Sequence, residues 1–459
     1  MHKYKISHFR HSCLALSIAA ACAGSSTAMA GEQELQAQID LLAKQLQALQ
    51  TQLAEQKAAP APAAVASGKE AASGPGNFRF SVSGTLDAAL GSQGNVAPGG
   101  AASQGQTTKF FNAGLATSNL AFTGSTELGE GLTALFKLDT ELLTSTGANL
   151  VSASGQIAPS SYNAGSGSGV VFNRAAYAGL AGRYGTLTLG RQQTVAVDAV
   201  VKVEASNFTN FFMSSAYGAW GLGNAIYGQG LLNTAAGKYS PGVANNLDSR
   251  DNAMIKYTSP VIGGARLIAG YSPGAIAGSG SMGTKAALGA TYDVGNLSVG
   301  GSYTEWHPVD LLTNQDARYR LGNFGVAYRF GDLSLRAAMG HTSLPAVTVK
   351  DTTNTNVTYS AADASVKSVG AIYAVNPRLD LLLSYYIKRY DIVDGNKPRV
   401  DTLGVGATWL LYKNTKLYAL FDNARSRGDN GANQTLGGHS SANAVALGFS
   451  HAFNADLLR

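Results

Sequence analysis

The stretch "RAAYAGLAGRYGTLTLGRQQT", Arg174–Thr194, decides the fold. Small or polar residues alternate with larger apolar ones on either side of the glycine-bearing "AGRYG". Period two is that of a β-strand, so the stretch reads as a hairpin. Leu187 and Leu189 share one parity, Arg191 falls on that same parity, and Arg174 opens the segment. A sheet this regular carries charge most simply when one side faces lipid and the other lines water, and the rest of the chain bears on that choice.

The chain has 459 residues, of which only 14% are charged, with 55 glycines, 20 tyrosines and 16 phenylalanines, a mixture suited to a large sheet assembly. Residues 1–30 read as a secretory signal: Lys3, Lys5 and Arg10, the apolar run "CLALSIAAACAG", then Ala28-Met29-Ala30 as a small-residue cleavage site. Cys22 offers a rival reading as a lipoprotein cysteine, against which Ala19 is a poor match for the bulkier residue such sites carry. Both cysteines, Cys13 and Cys22, lie inside the signal, so the processed chain holds no thiol or disulfide. Losing three basic residues with the signal takes the formal charge from +6 to +3, and nucleic acid is not implied. Beyond the signal no run reaches the roughly 18 apolar residues of a spanning helix.

Leu35, Ile39, Leu42, Leu46, Leu49 and Leu53 follow spacings of 4, 3, 4, 3 and 4, a heptad seam. The flanks Ala43, Gln45, Gln50 and Gln52 are uncharged, so residues 31–57 read as a self-associating coiled coil, with a surface-lying amphipathic helix as the alternative. A Pro/Ala/Gly linker follows over 58–77. From Phe78 the period changes to two. Sixteen strands are expected, near 78–90, 117–127, 131–143, 170–182, 185–192, 250–259, 263–273, 284–294, 296–306, 318–330, 332–342, 364–375, 378–391, 398–411, 415–427 and 441–453. Tight turns such as "AGRYG", "DVGN", "FGD" and "NPR" alternate with longer loops, the longest over 193–249. Short turns at one rim and long polar loops at the other suit a closed barrel, which leaves no unpaired backbone edge in lipid. A soluble sandwich also alternates, but the mid-strand arginines on the polar parity count against it. So do Tyr177, Tyr257, Tyr271, Tyr303, Tyr328 and Tyr385, expected on the apolar parity as an interfacial girdle.

In "ANAVALGFSHAF" Val445, Leu447, Phe449, His451 and Phe453 share one parity. This run resembles the final strand of Gram-negative porins. "GSTELGEGLTALFKLDTEL", "NRAAYAGLAGRYGTLTLGRQ", "RDNAMIKYTSPVIGG" and "YKNTKLYALFDNA" are likewise similar to segments of the general porin family of beta-proteobacterial type. The resemblance runs from Phe78 to Phe453. It implies an all-β fold: a 16-stranded antiparallel transmembrane barrel over 78–453 with an inward-folded third loop, here preceded by a short helical coiled coil in the periplasm. It further implies a homotrimer in the outer membrane, assembled by the barrel-assembly machinery reading Phe449 and Phe453, and passing small hydrophilic solutes without catalysis or cofactor. The chain departs from the family at Asn119, Thr123 and Thr133, where basic residues are usual, and in "NADLLR", expected to be a tail over 454–459.

The four histidines after the signal (His307, His341, His439 and His451) show no metal-ligand spacing, and no Ser/His arrangement for an outer-membrane lipase emerges. Period two directs Arg79, Lys137, Arg174, Arg250, Lys256, Arg266, Arg329, Arg336 and Lys388 to the lumen, opposed by Asp87, Asp139 and Glu141. Arg191 points outward. A charge facing mid-bilayer costs roughly 2–4 kcal/mol, so a neighbouring subunit is its expected cover. Asp198, Lys202 and Glu204 open the long loop, and by resemblance its acids face the arginines of the wall and set a transverse field. The excess of basic wall residues predicts weak anion selectivity. A selective porin for organic anions or sugars, or a barrel-anchored tether or adhesin, are the alternatives.

Overall fold

The computed structural model describes residues 77–94, 106–112, 114–147, 171–207, 209–213, 250–274, 280–281, 283–307, 318–344, 347–350, 356–359, 362–392, 399–427 and 441–458. The expected signal, coiled coil and linker up to residue 76 lie outside them. Nineteen strands run in chain order: β1 (Arg79–Gly94), β2 (Gln106–Phe111), β3 (Asn119–Gly129), β4 (Leu132–Glu141), β5 (Ala175–Gly182), β6 (Gly185–Gln193), β7 (Arg250–Thr258), β8 (Ala265–Ser272), β9 (Lys285–Val294), β10 (Leu297–Trp306), β11 (Tyr319–Phe330), β12 (Leu333–Leu344), β13 (Val347–Lys350), β14 (Asn356–Tyr359), β15 (Ala362–Asn376), β16 (Leu379–Ile392), β17 (Arg399–Tyr412), β18 (Thr415–Arg427) and β19 (Ser441–Leu458). Two short helices, α1 (Val195–Val200) and α2 (Asn210–Met213), follow β6.

Every neighbour in the main sheet is antiparallel, and β19 returns to pair with β1, which closes the ring. Of the 17 strands in that sheet, β2 is a side branch on the upper half of β1, so sixteen strands form the barrel. The branch and the separate β13–β14 hairpin are the strands that alternation did not indicate. Both are short polar pieces within loops, where no lipid face imposes a period.

The ring is inverted relative to a soluble core. Leu288 is 69% exposed and Leu447 65%, whereas Asp87 and Lys388 are fully buried. Apolar side chains stand outward and polar ones inward because the hydrocarbon outside accepts no backbone or side-chain hydrogen bond. Tyr257, Tyr271, Tyr303 and Tyr328 lie on the outward face as expected. Tyr177 does not: it sits opposite Lys137 in the β4–β5 register and lines the lumen with it.

The last strand also departs from expectation. Residues 454–458 continue β19, with Asn454, Ala455 and Asp456 opposite Ser83, Val82 and Ser81, and Leu458 opposite Phe80. Alternation stops at Phe453 because the rim has no apolar side to satisfy. Backbone pairing needs no such asymmetry and carries on. Phe453 itself lies over Gly84 of β1, where any Cβ would collide with its ring.

Candidate functional site: the lumen and its inward loop

The loop after β6 turns into the barrel at Thr194, whose hydroxyl caps α1 by accepting from the Val197 amide (3.3 Å). Val195, Ala196, Val197, Ala199 and Val200 are all buried. They rest on a groove that the wall makes from glycine. Val195 fills the space over Gly270 of β8 and Gly289 of β9, while the Ala199 carbonyl presses on Gly300 of β10. Val203 covers Gly325 of β11, the Ala205 backbone crosses Gly370 of β15, and Phe212 sits on Gly404 and Gly406 of β17. Residues 195–212 thus run round the inner wall from β8 to β17 in a channel cut by missing side chains. A Cβ at Gly300 or Gly370 would overlap loop backbone outright.

Polar anchors fix the loop. Lys256 of β7 donates to the Asp198 carboxylate (2.7 Å) and to the Gln193 carbonyl (2.9 Å). Lys202 reaches Asp293 of β9 at 2.8 Å, and Arg336 of β12 donates to the Lys202 carbonyl at 2.9 Å. Glu204 is fully buried: its carboxylate accepts from the Tyr386 hydroxyl of β16, from the Ser206 amide (2.9 Å) and from the Ser206 hydroxyl (2.7 Å). Burial raises the Asp198 carboxyl above its ordinary range, and Lys256 opposes that shift.

At its far end the loop meets a second inward segment. The Phe211 amide donates to the Gly114 carbonyl (2.7 Å), and Phe211 packs edge-on against Phe111 at 5.5 Å between ring centres. The segment 112–118 hangs on Asp87. Its Oδ1 accepts from the Gly114 amide (2.7 Å) and the Tyr418 hydroxyl (2.5 Å), and its Oδ2 from the amides of Leu115 (3.1 Å) and Ala116 (3.2 Å). Asp87, expected as a charge lining the water path, is an internal tether.

The placement of the other expected residues follows from these contacts. Arg79 and Lys137 face the lumen with Tyr177, Ser81 and Thr123 in a recess of about 620 Å³ whose border includes Asp456. Asp139 accepts from Asn119 (2.9 Å) and bridges Lys137 (3.2 Å) and Arg174 (3.3 Å), so the wall bundles its acid with two bases. Arg266 and Arg329 are exposed on the inward parity, and Lys388 is inward but fully buried. Glu141 shares the parity of Asp139.

Arg250 is a correction. Gly190 pairs with Met254 and Gln192 with Asp251, leaving one extra residue in β7 at Ala253, whose φ is +48°. The bulge reverses parity below it. Asp251, ion-paired with Lys285, holds the inward side. Arg250 falls on the parity of Asn252, to whose side chain the outward Arg191 donates. Arg191 also donates to the Asn173 carbonyl, so its own chain supplies polar cover. The loop acids are a second correction: Asp198 and Glu204 face the wall that carries the loop, not the wall across the lumen.

The sequence reading missed Lys285, Lys416, Asp251, Asp293, Asp380, Asp422 and Asp456, which share inward parities. Strict alternation would have found Lys416, Asp380 and Asp422, while Asp251 lies beyond the bulge. The side chains that reach lumen water are chiefly basic: Arg79, Arg266, Arg329 and Lys416 are exposed, whereas Asp87, Asp139, Glu204, Asp251 and Asp422 are buried.

Known proteins agree with this architecture. Among solved structures, an anion-selective porin from Comamonas acidovorans is similar at 22% identity with a TM-score of 0.58, covering 82% of this chain and 100% of its own. The outer membrane protein OmpT of Vibrio cholerae in trimer form is similar at 15% identity and TM-score 0.52, covering 82% and 99%. OmpF of Salmonella typhi, in complex with daunomycin, is similar at 15% identity and TM-score 0.52, covering 82% and 97%. These likenesses speak for the fold. No curated protein matches the sequence. The family model described as Gram-negative porin matches residues 58–430, which takes in the barrel up to β18 and its inward loop, and the chain belongs to the Gram-negative porin family.

Proposed function

We propose that this outer-membrane porin passes small hydrophilic solutes by diffusion with a weak preference for anions, as a homotrimer. The family and fold point to a channel rather than an enzyme. The observation carrying the selectivity is the asymmetry of exposure: loop acids Asp198 and Glu204 are held against the wall, while Arg79, Arg266 and Arg329 remain open to lumen water. Fixed positive charge within a Debye length of roughly 8–10 Å enriches anions in a narrow passage. The solved relative from Comamonas acidovorans, named as anion-selective, supports the sign, and the trimer form of Vibrio cholerae OmpT supports the assembly.

In a planar bilayer under a KCl gradient the reversal potential takes the sign of chloride permeation. Arg79→Glu with Arg266→Glu moves it toward the potassium value. A wild-type channel that already favours potassium overturns the reading. The recess of about 620 Å³ beside Arg79 and Lys137 favours a second reading, a channel that binds organic anions. Benzoate flux that saturates at millimolar concentration, where chloride current does not, would select it.

A further inference from the structure

The outer face of the barrel is apolar except in one place, and the strand register locates it. On β12, β15, β16, β17 and β18, the residues His341, Ser365, Arg389, Arg399 and Arg427 stand opposite one another in a single cross-strand row. One dyad toward the short-turn rim the row reads Met339, Lys367, Ile387, Asp401 and Arg425. The next two rows are Ala337, Val369, Tyr385, Leu403, Asn423 and then Leu335, Ala371, Leu383, Val405, Phe421. All four rows share the outward parity of Val369, Leu383 and Phe421, each more than 40% exposed. Basic residues therefore crown an apolar wall at the long-loop rim.

Lys367, Arg389, Arg425 and Arg427 are exposed. Arg399 pairs with Asp401 at 2.7 Å, and Arg427 lies 3.6 Å from the other oxygen of that carboxylate, so one buried acid sits under two guanidinium groups. Five bases surround that acid, and Asp363 and Asp391 stand one row further out. The positive excess needs anions from elsewhere. A second copy of the chain does not supply them: among the described strand residues the outward acids are Glu305, Asp363, Asp391 and Asp401, all on this same side of the ring, and Glu305 is already bridged to Arg320 at 3.4 Å. The half formed by β19 and β1 to β9 has no outward strand acid among the described residues.

We infer that Lys367, Arg389, Arg399, Arg425 and Arg427 form a binding surface for the phosphate groups of an anionic lipid in the outer leaflet, whose chains lie on the apolar rows beneath. Adjacent strands are about 4.8 Å apart and successive rows about 7 Å, so the cluster spans the width of one or two phosphates. Arginine forks bind phosphate oxygens in pairs. The amphipathic order of the rows, charge above hydrocarbon, matches a lipid and not a soluble anion. The surface rests on the outer-membrane location but not on the selectivity of the lumen.

The test uses the full-length protein in detergent, with bis-phosphorylated lipid A as probe and its dephosphorylated form as control, and counts retained lipid by native mass spectrometry. Lys367→Gln/Arg389→Gln/Arg425→Gln leaves the Arg399–Asp401 pair intact. Each basic residue near a charged surface is worth about fivefold in binding, so the triple variant should retain the phosphorylated lipid at least roughly tenfold less. Lys137→Gln/Arg266→Gln/Arg329→Gln removes equal charge from the lumen and should retain it like wild type. Unchanged conductance of the outer-face variant shows that it folds. Equal retention by both variants, or retention independent of phosphate, overturns the proposal. So does a triple variant that loses its oligomeric state while keeping lipid, which would make the face a contact between copies.

Discussion

Single residues show how little of the polar lumen is free to act on solutes. Glu204 reads in sequence as a loop acid aimed across a pore, yet it is buried among Tyr386 and Ser206. Replacing Tyr386 by Phe leaves that carboxylate with fewer donors, at a cost of about 1–3 kcal/mol to loop docking. Single-channel records of Tyr386→Phe should show more closures at lower voltage, with the barrel's thermal unfolding little changed. Asp198 behaves differently because it retains some access to water. Its carboxyl is raised by burial, with Lys256 and Arg266 pulling the other way, so it gains a proton at higher pH than an ordinary aspartate. Protonation removes a negative charge and leaves Lys256 uncompensated. Anion preference should therefore strengthen as pH falls toward the mildly acidic range. Asp198→Asn should show that stronger preference already at neutral pH and lose this part of the pH dependence.

At the scale of elements, the inward loop is held by shape as much as by hydrogen bonds. Its track exists because β8, β9, β10, β11, β15 and β17 each present glycine where the loop crosses. Gly370→Val places a branched side chain in the Ala205 backbone, an overpacking worth about 1–3 kcal/mol. The expected result is a barrel that still inserts but shows altered conductance; a current identical to wild type would mean that the loop does not bound the conducting path. The closing seam follows similar logic. Residues 454–458 add backbone pairs to β1, and Phe453 covers Gly84 on the outer face. Deleting 454–459 should lower the temperature at which the barrel unfolds in detergent gels. Phe453→Ala should chiefly reduce the amount inserted in the membrane, because it spares the pairing and removes the terminal aromatic.

For the whole molecule, the heptads over 31–57 remain a prediction of sequence, placed beyond the residues described. Their deletion should lower the temperature of trimer dissociation in detergent gels and leave single-channel conductance as it was. An unaltered dissociation temperature would remove the coiled coil from the assembly. The barrel itself was legible in the sequence: all sixteen strands follow from period two, because a wall with lipid on one side and water on the other prints its two solvents onto alternate residues. Parity likewise sent Arg79, Lys137, Lys256, Arg266, Arg329 and Arg336 inward and Arg191 outward. Period two carries no information once the pairing is irregular or the environment symmetric. For that reason the bulge at Ala253 misdirected Arg250, and the strand end at Leu458 and the strand β2 escaped notice. Tertiary structure alone decided which charges meet water, since Asp87 with Tyr418, Glu204 with Tyr386 and Asp251 with Lys285 are partners far apart in the chain, joined only when the sheet closes and the loop lies down on its glycines.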